Sequence, residues 1–368
     1  MGQLTLVIGG GVMGLLTSLH LADAGVEVVL FDQGQVGREA SWAGGGIVSP
    51  LYPWRYSPAV TALAHWSQDY YPALGERLLG ETGIDPEVTA TGLYWLDLDD
   101  ESEALAWAQR EGRTLRAVPI EQAYAAVPGL GAGYQRAVHM PEIANVRNPR
   151  LLKALRQALA ERPTVELVEG CAVRGITNAN GRVVGVETEQ GQRRADRVVV
   201  AAGAWSGQLL ASLGLEVPVE PVKGEMILYK AERNWLGSMV LAKGRYAIPR
   251  RDGHILVGST LARTGFDKQP TQTALESLKA TAQTLLPALA GAEVVQHWAG
   301  LRPGSPDGVP YIGELSGVEG LWLNCGHYRN GLVLAPASCR LLVDLMLGES
   351  PIIDPTPYAP ADRLAARA

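Results

Sequence analysis

The feature that most constrains this chain is the run Gly9–Gly14 (GGGVMG), which fits the pattern G-x-G-x-x-G. An apolar run, Leu4–Ile8, precedes it as a predicted strand, and a helical stretch, Val12 to about Ala24, follows it. Gly25 ends that helix, and Val26–Phe31 predicts a second strand. Strands that are apolar on both faces and joined through a helix are typical of a covered parallel sheet.

Each glycine of this fingerprint has its own predicted role in binding a dinucleotide. Gly9 makes the tight turn, Gly11 lets the backbone approach a pyrophosphate, and Gly14 lets helix and strand pack closely. The helix N-terminus at Val12 and Met13 offers free N–H groups and the positive end of its dipole to the phosphates. A glycine-rich turn in an unrelated α/β protein is the alternative interpretation.

Asp32 supports the dinucleotide interpretation, since it ends the second strand about 20 residues after the fingerprint. Its carboxylate can accept hydrogen bonds from ribose hydroxyls and would repel a 2′-phosphate, which disfavours NADP. The fingerprint does not itself distinguish NAD from FAD.

Three further segments favour FAD. The small-residue loop Arg38–Gly46 can pass close under a bulky isoalloxazine ring, and the buried strand of Val198–Ser206 ends in small residues that can return backbone to the cofactor. Cys325–Gly331 opens the last predicted helix, whose N-terminus can stabilise an anionic reduced flavin. An NAD enzyme has no need of this last element.

The rest of the chain predicts two interleaved domains. With 368 residues, 47% of them hydrophobic and 19% charged, the chain can form a large core. Strands at 165–168, 172–177, 183–188 and 197–201 are expected to return to the first region of the chain. Strands between 217 and 311 look antiparallel, and the last stretch looks like a surface strap or a disordered segment.

The predicted fold is α/β (α+β overall), with an FAD-binding Rossmann-like domain and an interleaved antiparallel-sheet substrate domain. The FAD-binding domain is assigned to residues 1–82, 145–216 and 312–368. The substrate-binding domain is assigned to residues 83–144 and 217–311.

Composition argues against several other classes of protein. The formal net charge is −6 with no basic stripe, so no nucleic-acid partner is expected. No run reaches the roughly 18 uninterrupted apolar residues of a membrane span, and the first residues run directly into a strand pattern rather than a signal peptide. Three widely spaced cysteines give neither a disulfide framework nor metal-ligand spacing, so we expect a cytoplasmic protein without a metal.

These segments resemble the D-amino-acid oxidase / glycine oxidase / sarcosine oxidase family of FAD enzymes, from Val7 to about Leu347. The likeness is greatest to its bacterial glycine oxidase branch, which is associated with making the thiazole part of thiamin. The motifs that carry the resemblance are the fingerprint, Ser41–Ile47, Gly244–Pro249, Gly300–Pro303 and His327–Gly331.

The motifs and the resemblance together define the expected cofactor contacts. The expected contacts to non-covalent FAD are Gly9, Gly11, Val12, Met13, Gly14, Asp32, Gln33, Ala40, Ser41, Gly45, Gly46, Ile47, Val173, Ala202, Gly203, Trp205, Gly300, His327, Tyr328, Arg329, Asn330, Gly331 and Leu332. Gly300 stands where the sarcosine oxidase branch carries a cysteine bonded to the flavin, which argues against a covalent link. Ile47 and Leu261 stand where a glycine oxidase relative carries methionines near the substrate.

The resemblance also implies substrate contacts, at Tyr246, Arg302 and Arg329. Arg302 can hold a carboxylate through two parallel N–H···O bonds, which lysine cannot reproduce. Tyr246 can donate a further bond, and Arg329 can either bind the carboxylate or carry a gating contact. Outside this family, an arginine before a proline is more often a surface residue and a strand tyrosine more often packs.

The implied activity is FAD-dependent oxidative deamination of glycine and other small amines, such as sarcosine and small D-amino acids. It uses hydride transfer to flavin N5, and molecular oxygen is reduced to hydrogen peroxide. Three alternatives stay open: a dehydrogenase that passes electrons to a carrier, a non-catalytic FAD scaffold, and an NAD-dependent dehydrogenase. A homo-oligomer is expected, and the aromatic segment Tyr52–Tyr56 is interpreted as packing or an oligomer contact in preference to a lid.

Overall fold

A computed structural model describes residues 4–365 of the chain, so residues 1–3 and 366–368 of the predicted FAD-binding domain lie outside the described part. In chain order the strands are β1 (Leu4–Ile8), β2 (Glu27–Phe31), β3 (Thr89–Ala90), β4 (Leu93–Leu96), β5 (Arg116–Val118), β6 (Ala137–Met140), β7 (Ala144–Asn145), β8 (Val165–Val168), β9 (Val173–Ala179), β10 (Arg182–Thr188), β11 (Gly191–Arg194), β12 (Arg197–Val200), β13 (Glu220–Lys230), β14 (Met239–Ala242), β15 (Arg245–Pro249), β16 (His254–Gly258), β17 (Val294–Gly304), β18 (Tyr311–Glu314) and β19 (Leu321–Cys325).

The helices, in the same order, are α1 (Val12–Asp23), α2 (Ala40–Ala43), α3 (Pro58–Thr82), α4 (Glu101–Glu111), α5 (Ile120–Ala126), α6 (Asn148–Ala160), α7 (Ser206–Ala211), α8 (Gln272–Leu285), α9 (Gly331–Leu347) and α10 (Pro360–Ala365). Short 3₁₀ helices lie at Pro53–Arg55, Gly203–Trp205, Pro287–Gly291, Tyr328–Asn330 and Thr356–Tyr358.

The first sheet has the strand order β18-β19-β12-β1-β2-β8 and is parallel except between β18 and β19. Its central strand β1 is buried from Thr5 to Ile8, as its apolar sequence requires of a strand covered on both faces. Helices α1, α3, α6 and α9 form the core on one face of this sheet.

The other face of this sheet is covered by a separate three-stranded antiparallel sheet, β11-β10-β9. The strands predicted at 172–177 and 183–188 return to the region of the first sheet, but they pair with each other in this separate sheet and not with β1 or β2. Ile176, Val183 and Val186 point from this small sheet into the core, while the neighbouring side chains are more exposed. Such an alternation is typical of an antiparallel sheet with one solvated face.

The second large sheet has the order β17-β13-β16-β15-β14-β4-β6-β5, with α8 packed against it. Its strands after residue 217 pair antiparallel, as the sequence predicts, and Arg251–Gly253 turns the chain between β15 and β16. Strand β4 pairs with β14 in parallel, which differs from the antiparallel expectation. Together the two large sheets confirm the predicted fold class, while the exact domain boundaries stay a prediction.

Helix α9 begins and ends where the sequence predicts, at residues 331 and 347. The segment Tyr328–Leu347 is long and apolar enough to cross a membrane by length and composition, and 72% of its most apolar window is buried inside the protein. It packs against α1 and α3, so in this fold it serves as a core helix.

The described chain after α9 contains the 3₁₀ helix Thr356–Tyr358 and α10, which agrees with the strap interpretation of this stretch. Tyr358 is 1% exposed, and its hydroxyl donates to the carbonyl oxygen of Ala59 at 2.8 Å. Arg363 donates to the carbonyl oxygen of Pro310 at 2.6 Å. These two anchors fix the segment as a strap against α3 and the start of β18.

Candidate functional site

A cavity of about 520 Å³ lies between the two large sheets. On one side it is lined by the carboxyl ends of β1, β2, β12 and β19, where ligands of open parallel sheets bind. On the other side it is lined by residues of β13, β15 and β17. Every predicted cofactor and substrate residue except Gly14 lines this cavity.

Gly9 and Gly14 show why the fingerprint needs glycine. Gly9 has a φ of +107°, and a Cβ there would overlap the carbonyl oxygen of Ala201. A Cβ on Gly14 would overlap the carbonyl oxygen of Gly9, so Gly14 lets α1 pack on the turn without touching the cavity. Its location fits the packing role predicted for the third glycine.

Asp32 lies at the cavity wall, where its carboxylate accepts hydrogen bonds from the backbone N–H groups of Gly10 and Gly34, both at 2.8 Å. Burial raises the pKa of this carboxyl above its usual value, and the two backbone bonds oppose that shift. A carboxylate can accept about four hydrogen bonds, so acceptor capacity is left for a ribose hydroxyl.

The helix N-terminus differs from the sequence expectation at one point. The N–H of Val12, predicted to be free, donates to Ser41 Oγ at 2.9 Å. Ser41 therefore bridges the fingerprint and the loop at α2, and its hydroxyl hydrogen is left to donate to a ligand.

Asn148 is a cavity residue that the sequence interpretation missed. The pattern before Pro149 predicts Asn148 as the N-cap of a helix, but Arg147 is the cap and Asn148 is the first helical residue. Its Nδ2 donates to the carbonyl oxygen of Ser41 at 2.7 Å, and its buried Oδ1 has no hydrogen-bond partner among residues 4–365. Because the sequence pattern indicates an N-cap at Asn148, it did not identify this residue as a cavity contact.

Three more buried polar atoms at the cavity wall lack a partner within the described part of the chain: Asn324 Oδ1, His327 Nε2 and Asn330 Nδ2. Asn324 was also missed by the sequence interpretation. Buried polar groups are normally hydrogen-bonded, so this set of donors and acceptors fits a polar ligand such as a dinucleotide. Burial lowers the pKa of His327 to about 3, so its imidazole is neutral.

Arg302 lies on β17 and is held by neutral oxygens. Nη2 donates to Ser259 Oγ at 2.9 Å, and Nη1 donates to the carbonyl oxygen of Thr260 at 3.2 Å. The guanidinium lies directly over Gly224, where a Cβ would overlap it. No carboxylate among the described residues pairs with it, so its charge is available to an anionic ligand.

Tyr246 lies on β15 and is 5% exposed. Its hydroxyl is packed between two glycines, since a Cβ built on either Gly45 or Gly258 would stand 3.2 Å from it. Tyr246 and Arg302 thus line the same end of the cavity. Ser259 and Gly224, which support this end, carry no sequence signal that identified them.

Arg329 lies at the edge of the cavity, in the 3₁₀ helix Tyr328–Asn330, and its side chain is exposed. It makes no hydrogen bond or ion pair with any residue from 4 to 365. Of the two roles predicted for it, this position favours a gating contact over a deep carboxylate clamp.

Gly300 faces α2, and a Cβ on it would overlap the Cβ of Ala43. A cysteine at this position has no room in the present backbone. Ile47 is buried and lines the cavity, whereas Leu261 is 52% exposed and lies outside its lining. Of these two positions, only Ile47 lines the cavity.

The aromatic segment Tyr52–Tyr56 packs beside the cavity rather than over it. Tyr52 Oη accepts from the N–H of Gly244 at 2.9 Å, and Trp54 Nε1 donates to Asp100 at 2.7 Å. Arg55 also pairs with Asp100. No residue of this segment lines the cavity, which favours the packing interpretation over a lid.

Comparisons with known proteins agree with this geometry. The family model described as DAO, FAD dependent oxidoreductase, matches residues 5–345. Glycine oxidase of Pseudomonas putida is 68% identical over 364 residues, which cover 99% of this chain and 100% of that protein. The crystal structure of glycine oxidase from Geobacillus kaustophilus superposes with a TM-score of 0.91 at 31% identity, covering 97% of this chain and 98% of that chain.

One set of relatives is longer than this chain. The bifunctional protein ThiO/ThiG of Nostoc sp. is 31% identical over 371 residues, which cover 98% of this chain and 55% of that protein.

Proposed function

This chain belongs to the DAO family of FAD-dependent oxidoreductases, and on that premise we propose that it catalyses the oxidative deamination of glycine. The observation that carries the proposal is Arg302, a guanidinium without a carboxylate partner in the described chain, in the same cavity as the dinucleotide fingerprint. The full-length likeness to glycine oxidases supports glycine as the substrate.

The overall reaction consumes glycine, water and molecular oxygen and yields glyoxylate, ammonia and hydrogen peroxide. FAD supplies a two-electron acceptor that takes a hydride from the substrate and returns the electrons to oxygen. We propose that it binds without a covalent link, since Gly300 lies too close to Ala43 for a cysteine. The fingerprint, Asp32, Ser41 and Asn148 are the proposed contacts to its polar groups.

Arg302 fixes the substrate in this proposal. The bonds to Ser259 and Thr260 hold the guanidinium in one orientation, and the substrate carboxylate takes its free N–H groups. The hydroxyl of Tyr246 donates a further bond to the same carboxylate. Two fixed points orient the Cα–H bond, and such positioning can supply about 7–11 kcal/mol of a barrier.

No protein base is needed for this step once the substrate amine is neutral. His327 is too weak a base for that role, because burial lowers its pKa to about 3. Glu39, another titratable group at the cavity wall, is paired with Lys268 at 2.7 Å. In this proposal the amine loses its proton to solvent before the hydride leaves, and water later hydrolyses the imine product.

Sarcosine and small D-amino acids are proposed as further substrates. The wall near Tyr246 is apolar, with Ile47 and Met226 beside it. An apolar wall discriminates one methyl group by only about 1–3 kcal/mol. The likeness to ThiO/ThiG proteins supports the proposed link to thiamin formation, and a cytoplasmic homo-oligomer also stays a proposal.

The test is a reaction balance on the purified protein loaded with FAD. We expect oxygen uptake, peroxide and ammonia in equal amounts when glycine is added, and catalase should halve the net oxygen uptake. Reduction of the flavin by glycine without oxygen uptake would favour the dehydrogenase alternative. A flavin that glycine does not reduce would favour the scaffold.

A further inference from the structure

Arg250, the residue after β15, is a buried cation with an unusual set of partners. It is 8% exposed, and it makes three hydrogen bonds. Nη1 donates to Asn145 Oδ1 and to the carbonyl oxygen of Val146, both at 3.0 Å, and Nη2 donates to the carbonyl oxygen of Gly45 at 2.7 Å. All three acceptors are neutral.

A buried charge of this kind is costly. Ions removed from water are normally paired with an opposite charge, yet no carboxylate in residues 4–365 bonds to Arg250. Burial lowers the pKa of its guanidinium to about 10, so it is still charged at neutral pH. An apolar side chain of similar length could fill the same space, but it could not make the three hydrogen bonds of the guanidinium.

The three acceptors belong to two segments that meet at the cavity. Asn145 and Val146 come from β7 and its end, while Gly45 belongs to the loop after α2 that lines the cavity. Val146 N–H also donates to the carbonyl oxygen of Gly46 at 2.8 Å. A Cβ on Gly46 would overlap the carbonyl oxygen of Val146 and stand 2.6 Å from Asn148 Oδ1. The loop at Gly45 and Gly46 therefore packs directly against the segment at Asn145 and Val146, to which Arg250 donates its hydrogen bonds.

Gly45 connects the hydrogen bonds of Arg250 to the end of the cavity that Tyr246 lines. A Cβ on Gly45 would stand 3.2 Å from the hydroxyl of Tyr246, so the loop backbone and that hydroxyl are direct neighbours. Arg250 itself follows the strand that carries Tyr246. One guanidinium thus fixes the loop relative to the strand on which the substrate contact lies.

We propose that Arg250 is a positioning residue that sets the depth of Gly45 and Gly46 in the cavity. In that position the loop contacts FAD, and the Tyr246 hydroxyl is kept directed at the substrate carboxylate. The cofactor half of this role rests on the FAD-dependent family, and the substrate half rests on the proposed function.

The experiment compares Arg250→Lys and Arg250→Met with Arg251→Met as the matched control. Arg251 is the next residue along the chain, and it is exposed and paired with Asp85 at 2.6 Å. For each variant we would measure the FAD dissociation constant of the reconstituted apoprotein, the visible absorption spectrum of the bound flavin, Tm, and KM and kcat for glycine.

Both Arg250 variants should weaken FAD binding by about 10-fold or more, equivalent to about 1.4 kcal/mol. They should also make the visible absorption bands of the bound flavin less well resolved. We expect them to raise KM for glycine by a larger factor than they lower kcat. Lysine keeps the charge but cannot span both segments, so Arg250→Lys should not restore FAD affinity. Arg251→Met should stay within about twofold of the wild type, because exposed ion pairs contribute little.

A lower Tm with unchanged FAD affinity, spectrum and KM in Arg250→Met would overturn the proposal and leave a purely structural role. If Arg250→Met does not fold, Asn145→Ala decides, since it removes one acceptor and leaves the bond to Gly45 in place. We expect an intermediate loss of FAD affinity in that variant, and unchanged affinity would contradict the proposal. Because FAD affinity is measured without substrate, this result is independent of whether glycine is the substrate.

Discussion

At the scale of single residues, Arg302 carries most of the proposed chemistry. Replacing it with alanine leaves the substrate carboxylate unpaired in the cavity. Removing one partner of a buried ion pair costs about 3–5 kcal/mol. Arg302→Ala should therefore raise KM for glycine by roughly two to four orders of magnitude. Arg302→Lys should be intermediate, since one ammonium cannot make two parallel bonds.

Steady-state kinetics in air checks this prediction, with Arg263→Ala as control. Arg263 pairs with Glu220 at 2.7 Å, and both side chains are largely exposed. Its loss should leave KM within about twofold of the wild type. Near-wild-type KM in Arg302→Ala would rule out the carboxylate assignment.

Gly224 provides a second residue-scale prediction. A Cβ at this position would overlap the guanidinium of Arg302, so Gly224→Ala should push that group off its bonds to Ser259 and Thr260. We expect a higher KM for glycine in the single variant. In an Arg302→Ala background the same change should add almost nothing, because both changes act on one interaction. Additive effects in this double-mutant cycle would contradict the contact.

The sequence motifs indicated residues that line the cavity, but not the residues that support them. Tyr246 and Arg302 stand in motifs of the family, and both line the cavity. Asn148 looks like a helix cap, and Ser259 and Gly224 have no local pattern that marks them. Their roles come from contacts between strands far apart in the chain, which periodicity and spacing do not encode.

At the scale of elements, the join between β1 and α1 depends on Gly14. A Cβ there meets the carbonyl oxygen of Gly9, a backbone atom that cannot rotate away. Gly14→Ala should therefore lower the free energy of unfolding by about 1–3 kcal/mol, the usual cost of overpacking. It should also weaken FAD binding, because the phosphate turn must shift.

Gly80→Ala is the matched control for this change. Gly80 lies in α3, and a Cβ on it would meet no atom within 4 Å. Alanine is favoured over glycine in helices, so this variant should be neutral or gain up to about 1 kcal/mol. Urea unfolding of the two apoproteins and FAD titration of each would check the pair. Equal free energies of unfolding for Gly14→Ala and Gly80→Ala would contradict the packing argument.

Long, periodic elements were predictable, and strand partners were less so. The bounds of α9 agree with the sequence to the residue, because its apolar stretch is long and bounded by Gly331 and Gly348. The sequence did not indicate that β9 and β10 form a sheet of their own, because half-buried antiparallel strands and edge strands of a parallel sheet have similar local sequences. The parallel pairing of β4 with β14 joins segments that are distant in sequence.

At the scale of the whole molecule, buried histidines make stability depend on pH. Burial lowers the pKa of His20 to about 4, whereas the unfolded value is about 6.5. Between about pH 4 and 6.5 only the unfolded state binds this proton, so the free energy of unfolding rises with pH across that window. Above about pH 6.5 this histidine no longer contributes to the slope.

Replacing His20 with leucine removes this contribution. Relative to the wild type, the variant should become more stable as pH falls through the window, by up to about 1.4 kcal/mol per pH unit. Above neutral pH the difference between the two proteins should be constant, which serves as the internal control. Urea unfolding across the range measures it, and a difference independent of pH would contradict the buried neutral imidazole.

The overall architecture was predictable because two different sequence patterns alternate along the chain, one typical of a βαβ unit and one typical of antiparallel strands. The fingerprint and its βαβ unit predicted the parallel sheet, and the strands after residue 217 predicted the second sheet. The tail was less predictable. Its position depends on hydrogen bonds from Tyr358 to Ala59 and from Arg363 to Pro310, contacts that its Pro- and Ala-rich composition does not suggest.

The most direct test of the account is an anaerobic titration of the FAD-loaded protein with glycine, followed by the visible absorbance of the flavin. Sarcosine, D-alanine and D-proline serve as comparison substrates. The account predicts that glycine bleaches the oxidised flavin band completely, with about one glycine consumed per flavin, and that Arg302→Ala needs a far higher glycine concentration. A flavin that dithionite reduces but none of these amines bleaches would contradict the central claim.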